Sequence, residues 1–246
     1  MNPSPMRTLA LAAALALPCA SVTAGPGYYL VTAYDNYGVS TIDTRYWTVK
    51  FPNRSEIVWP EVGFGYGVTT RWYTELYATY IGTTQSALKL ETWNWQNDFL
   101  LTQGEFPFDL ALHANFTRYA ELDEGHAIEF GPVLQTDVGR TQLNLNVFVA
   151  RDYAAAGPEP TELKYQWQIR YRWVPLFNVG LQGFGELGQW NHWAPHDQQS
   201  HRAGPAFFGT LPTGDRQSLQ YQAAYLFGTI YGQPGRMFSM RVQYAF

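Results

Sequence analysis

After residue 40, apolar and polar positions alternate with a period of two along almost the whole chain, the spacing of strands that bury one face. The clearest run is 163–173. Leu163, Tyr165, Trp167, Ile169, Tyr171 and Trp173 share one face, and Lys164, Gln166, Gln168, Arg170 and Arg172 share the other. The same alternation predicts strands over 41–49, 57–67, 72–81, 87–101, 108–119, 126–138, 141–151, 177–189 and 200–210. A penultimate strand carries Leu219, Tyr221, Ala223, Tyr225 and Phe227 on one face. The last strand, 238–246, sets Phe238, Met240, Val242, Tyr244 and Phe246 against Ser239, Arg241, Gln243 and Ala245. Irregularities are expected near Glu91, where the alternation slips, and at Pro132, which lacks an N–H.

Short turn signals fall near Thr70, Glu105, Gly139, Pro175 and Thr213, so a hairpin recurs about every 35 residues, as in membrane barrels. This predicts six hairpins and about twelve strands, with ten or fourteen reached by slipping one hairpin. Longer loops at 120–125, 152–161 and 190–199 are expected on the rim opposite the short turns, and both termini on the short-turn rim.

Polarity decides which face points where. No stretch approaches the roughly 20 apolar residues of a membrane helix, so a closed barrel is the one way for this chain to span a bilayer. A Lys or Arg facing lipid near the midplane costs about 2–4 kcal/mol, so the basic face of 163–173 must be internal. The expected fold is all-β, a closed antiparallel up-and-down transmembrane β-barrel over 41–246. Aromatics at 17% and charged residues at only 15% suit that alternation of lipid-facing and interior positions. Trp72, Tyr171, Trp173, Tyr244 and Phe246 sort to one rim, and Tyr80, Trp93, Trp190 and Trp193 to the other, as two interfacial belts would. A net charge of −4 without any basic run argues against a nucleic-acid partner.

The N-terminus adds a targeting signal. Arg7, the apolar run 9–17 and Val22-Thr23-Ala24 predict a signal peptide over 1–24, cleaved before Gly25. The sole cysteine, Cys19, falls inside it behind Pro18, so the mature chain is expected to carry no thiol and no disulfide. Residues 25–40 are expected to form a periplasmic lead-in or a plug.

By strand parity the interior holds Glu61, Glu75, His113, Glu129, Asp137, Lys164, Arg170, Arg172, Glu186, Arg202 and Arg241. Acids and bases on different strands could line a solute path or fill the interior as a structural ion-pair network, and both readings stay open. His192, His196, Asp197 and His201 cluster near one loop, but Pro195 interrupts them and their spacing matches no closed site. Neither a metal nor a cofactor is expected.

The terminal Phe246, with Tyr244 two residues before it, resembles the C-terminal targeting strand of bacterial outer-membrane β-barrels. That resemblance implies an integral protein of the Gram-negative outer membrane, in contact with membrane lipid and lipopolysaccharide and read by the barrel assembly machinery. The segment Phe64-Gly-Tyr-Gly-Val-Thr-Thr-Arg-Trp72 is similar to a strand–turn–strand unit of the MetA-pathway transporter family, associated with aromatic-compound degradation. It implies a channel or facilitator for passive uptake or efflux of small polar or aromatic solutes. A plugged structural or adhesive barrel acting through its loops, and an outer-membrane hydrolase, are the alternatives. Outer-membrane phospholipases A, also twelve-stranded, carry a His-x-Ser pair; here no His-x-Ser occurs, and His113 is followed by Ala114-Asn115. No catalytic residue is assigned, and the chain is expected not to be an enzyme.

Overall fold

The computed structural model describes residues 28–33, 36–121, 124–154 and 157–246. The expected signal peptide and Cys19 lie outside them. Twelve long strands follow in order: β1 Ser40–Val49, β2 Ile57–Thr69, β3 Trp72–Thr83, β4 Ser86–Leu100, β5 Phe108–Tyr119, β6 His126–Val138, β7 Thr141–Ala154, β8 Glu162–Val174, β9 Phe177–Gln189, β10 Ser200–Gly214, β11 Gln217–Ile230 and β12 Gln233–Ala245. Ser40 therefore belongs to the first strand rather than to the lead-in. Two short pieces, Gly157–Pro158 and His192–Trp193, extend the sheet at one rim.

Each strand pairs antiparallel with the next, and β1 pairs with β12 through Thr41↔Ala245 to Trp47↔Ser239, so the sheet closes on itself. At the seam Ser40 and Phe246 exchange both backbone hydrogen bonds, each 2.9 Å long. Closure removes every sheet edge, the condition for a β-structure to sit in lipid. One rim carries Ser40 and Phe246 and is called the terminal rim here; the other is the loop rim.

Turn length sorts the rims less cleanly than expected. Thr84–Gln85 and Tyr231–Gly232 are tight links on the loop rim, whereas residues 101–107 form an extended link on the terminal rim. Tyr231 and Gly232 both have positive φ, 46° and 74°, the type I′ geometry whose twist matches a two-residue hairpin. The closing strand consequently begins at Gln233, not at 238. Pro234 is accommodated because the β1 ladder stops at Lys50↔Arg236, leaving that stretch of β12 with only β11 beside it. Similarly β10 continues to Gly214, and a register shift between Pro212 and Gly214 absorbs the residues expected as a turn. The slip near Glu91 is a bulge: Thr79 faces Thr92, Tyr80 faces Leu90, and Glu91 is the extra residue. At Pro132 the β6–β7 pairing skips from Phe130↔Val149 to Val133↔Asn146 without changing register.

Burial follows strand parity, inverted relative to a water-soluble barrel. Outward positions such as Leu76, Trp95, Phe130, Leu145, Ile169 and Phe227 are exposed, while inward Glu75, His113, Asn146 and Arg202 are buried. On the outer wall the rings of Trp167 and Tyr165 lie across Gly183 and Gly185, occupying the space a side chain there would need. No helix among the described residues is long and apolar enough to cross a membrane.

Candidate functional site

The interior is the candidate site, and its three zones follow from which inward residues the register brings level. Toward the loop rim one side carries an apolar cluster against which Tyr28 packs, beside a cavity of about 380 Å³ lined by Ile81, Glu91, Tyr119 and Asp152 among others. Trp47 and Trp59, directly paired on β1 and β2, stack 3.9 Å apart at 10°, and Phe184, Phe208, Leu226 and Met237 pack with them.

The middle zone is ionic and centres on Arg45, which is 2% exposed. Its Nε donates to Asp43 Oδ2 at 2.9 Å, its Nη1 lies 3.8 Å from Glu61 Oε2, and its Nη2 pairs with Glu75. Directly across the seam, Arg241 donates its Nε to the same Asp43 Oδ2 at 2.8 Å. Two guanidiniums that would repel one another are thus bridged by a shared oxyanion. The Arg45 guanidinium also lies over the Tyr29 ring at 3.8 Å and the Tyr77 ring at 4.5 Å, a double cation–π arrangement. Around this hub, Arg202 Nη2 donates to both Glu186 oxygens at 2.7 Å, Lys164 Nζ lies 3.5 Å from Glu129, and His113 Nδ1 lies 2.6 Å from Asp98. Carboxylates and cations removed from water in this way need partners, and each finds one here.

The third zone contains chain. Residues 28–33 run down the interior toward the terminal rim, with Tyr29, Leu30 and Val31 buried. Tyr28 donates its hydroxyl to Glu186, and Tyr29 donates to Gln96 Oε1 at 2.6 Å. The Val31 N–H donates to Gln166 Oε1 at 3.2 Å, and Asn146 Nδ2 donates to the Val31 carbonyl at 2.8 Å. Val31 and Ala33 pack on Leu100, Ala111, Val133 and Phe148. Among the described residues the first backbone bridge to the sheet comes at Tyr37↔Gly67, where a side chain on Gly67 would strike the Asn36 carbonyl. Opposite the packed wall a cavity of about 60 Å³ remains, lined by Leu30, Thr32, Gln168, Arg170, Phe208 and Arg241 among others.

Glu61, Glu75, His113, Glu129, Lys164, Glu186, Arg202 and Arg241 therefore all face inward, most of them in contact. Arg170 faces the cavity with its guanidinium 5.2 Å from the Phe208 ring. Arg172 lies at the terminal mouth with Asp137, half exposed and 2.8 Å away. Asp43, Arg45, Trp47, Trp59 and Asp98 were not singled out from sequence. The i, i+2 spacing of Thr41, Asp43 and Arg45 between Ile42, Thr44 and Tyr46 is the signal that marks the hub as inward. The outward-facing Phe238, Met240, Val242, Tyr244 and Phe246 lie on the lipid side of β12. His192, His196 and His201 lie at the loop rim, where both His201 nitrogens are hydrogen-bonded at 2.8 Å, to Tyr165 and Gln199. No group of three His, Cys, Asp or Glu among the described residues is placed to hold a metal.

An apolar outer wall around a charged, closed interior defines a membrane-spanning β-barrel. Its fold is that of integral bacterial outer-membrane barrels. It is similar to the COG4313 outer membrane channel from Pseudomonas putida F1, with TM-score 0.61 and 10% identity over 91% of this chain and 99% of that one. It is also similar to the translocator domain of autotransporter NalP from Neisseria meningitidis, with TM-score 0.56 and 10% identity over 85% and 88%. No family model and no curated protein matches the chain by sequence.

Proposed function

We propose that the protein is an integral outer-membrane channel or facilitator for passive movement of small polar or aromatic solutes, held closed by residues 28–33. In this reading the terminal rim faces the periplasm, the barrel assembly machinery reads the β12 ending, and residues 1–24 are a cleaved signal. One observation carries it. The segment filling the terminal half of the interior joins the wall through side-chain bonds and packing, outside the β-ladder, so it can leave without unpairing a strand. The amides and cations behind it would then line the path, with Arg170 and Arg241 on the cavity side. Similarity of fold to an outer membrane channel supports the same class.

The test is planar-bilayer conductance of the refolded protein and of a variant lacking residues 25–36. The full chain should be nearly silent and the deletion steadily conducting; a silent but folded deletion variant would overturn the proposal. In the conducting form, Arg170→Glu with Arg172→Glu should shift the reversal potential toward cation selectivity. A plugged structural barrel is the second reading, favoured by the burial of the Arg45 network, and a silent deletion variant would support it. The hydrolase reading is disfavoured at His113: its Nε2 is buried without a partner hydroxyl, and its ring packs on Phe148 at 4.9 Å.

A further inference from the structure

The β1–β12 seam carries two cationic pairs on opposite sides of the barrel wall, and only one of them is neutralised. Inside, Arg45 and Arg241 face each other and share Asp43. Near the loop rim, Lys50 and Arg236 are also directly opposed, exchanging backbone hydrogen bonds of 2.9 and 3.0 Å. Strand parity turns both of their side chains outward, toward lipid. Like charges directly opposite one another destabilise a sheet, yet neither makes an ion pair with a carboxylate among the described residues. Lys50 Nζ donates to the Arg54 carbonyl, which leaves its charge uncompensated. Glu56, the carboxylate on the adjoining end of the loop, forms no ion pair among the described residues and does not line the groove.

That groove has a volume of about 440 Å³, with Lys50 and Arg236 beside Phe51, Pro52, Phe227 and Pro234. Arg236 is flanked across the sheet by Phe227, which stays exposed on the outer wall and packs edge-on to Tyr225 at 5.0 Å. Further down the same seam Phe238 lies beside Tyr46, 6.4 Å between centroids. Two cations above an aromatic strip match an amphiphile with a phosphate head and acyl chains. Phosphate accepts charge-assisted hydrogen bonds from both Lys and Arg, and basic clusters at a membrane boundary recognise anionic headgroups.

We propose that Lys50 and Arg236 bind the phosphate of a phosphorylated lipid in the leaflet around the loop rim, with Phe227 against its acyl chain. The bound phosphate does outside what Asp43 does inside. This rests on the reading that the loop rim sits in the outer leaflet, and it holds whether or not the barrel conducts.

The test is native mass spectrometry of the folded protein in detergent, titrated with diphosphorylated lipid A, fully dephosphorylated lipid A and inorganic phosphate. The wild type should retain diphosphorylated lipid A at least tenfold more tightly than the dephosphorylated form. Lys50→Gln with Arg236→Gln should erase that difference while Lys89→Gln, a loop-rim control, keeps it; heat-modifiable gel mobility checks that each variant is folded. Phe227→Ala should weaken both lipids by a similar factor. Equal retention of diphosphorylated lipid A by wild type and the double variant would overturn the proposal. So would millimolar inorganic phosphate displacing the lipid completely, which would mark a site for free anions.

Discussion

Replacing Arg45 with Met is the sharpest perturbation of the interior. Methionine keeps most of the volume and removes the charge, so the effect is chiefly electrostatic. Arg45 bonds Asp43 at 2.9 Å, reaches Glu61 at 3.8 Å, pairs with Glu75 and lies against two tyrosine rings. Without it, Arg241, paired with Asp43 at 2.7 Å, is the cation left beside a cluster of three carboxylates. Removing one partner of a buried ion cluster typically costs about 3–5 kcal/mol, because the charges left behind lose compensation. The two ring contacts, about 0.5–2 kcal/mol each, are part of that figure and do not add to it. Urea titration of the barrel in detergent micelles, read by heat-modifiable gel mobility and tryptophan fluorescence, should show a loss in this range. Adding Glu75→Gln to Arg45→Met should recover part of it, since one fewer carboxylate then lacks a cation. A loss below about 1 kcal/mol, or further destabilisation by Glu75→Gln, would refute the assignment of Arg45 as the hub.

Val147→Arg, on the outer face midway along β7, should cost about 2–4 kcal/mol in lipid vesicles by the same titration; a neutral outcome would place that face away from lipid. Phe246→Ala keeps the backbone seam with Ser40 but removes the terminal ring, and should lower the folded fraction in outer-membrane preparations from cells while refolding in vitro is unaffected. Equal losses in both settings would make the ring a stability element rather than a recognition signal. In the terminal-rim link, the Gln103 N–H bonded to Glu105, together with Arg71 at 2.7 Å, holds the Glu105 carboxyl below the usual carboxylate range. A depressed folded-state pKa means that this contribution is present above the unfolded pKa and is lost as pH falls through the lowered value. The protection factor of the Gln103 amide, its exchange rate relative to the intrinsic rate at each pH, should therefore fall only at acid pH in the wild type, and be already low at neutral pH in Glu105→Gln.

The outer wall was the most legible part of the chain, because lipid imposes one rule on every strand. Leu163 to Trp173 illustrates it: six apolar outward positions against Lys, Gln and Arg allow a single orientation. Strand ends were less legible. Gln233-Pro234-Gly235 has turn composition, yet it lies in the ladder because the true turn, Tyr231–Gly232, needs only two residues with positive φ. The interior divided similarly. Parity identified Glu75, Glu186, Arg202 and Arg241 as inward, but which acid meets which base depends on stagger between strands distant in sequence, such as β1 and β12. The apolar pair Trp47–Trp59 was hidden for a related reason: an inward tryptophan breaks the polar-inside pattern that defines the lumen.

Cysteine accessibility tests most directly whether residues 28–33 occupy the interior beside an open vestibule. In a Cys19→Ser background the chain has no other thiol, so Val31→Cys and Gln220→Cys can each be probed alone with a membrane-impermeant thiol reagent on refolded barrels in vesicles opened to both faces. Val31 is 2% exposed against Phe148 and Leu100, while Gln220 lines the mouth of the Arg170 cavity. Gln220→Cys should react within minutes, and Val31→Cys should stay protected until the barrel is unfolded. Reaction of Val31→Cys at the rate of Gln220→Cys would show that the segment does not reside in the lumen and would contradict the closed state.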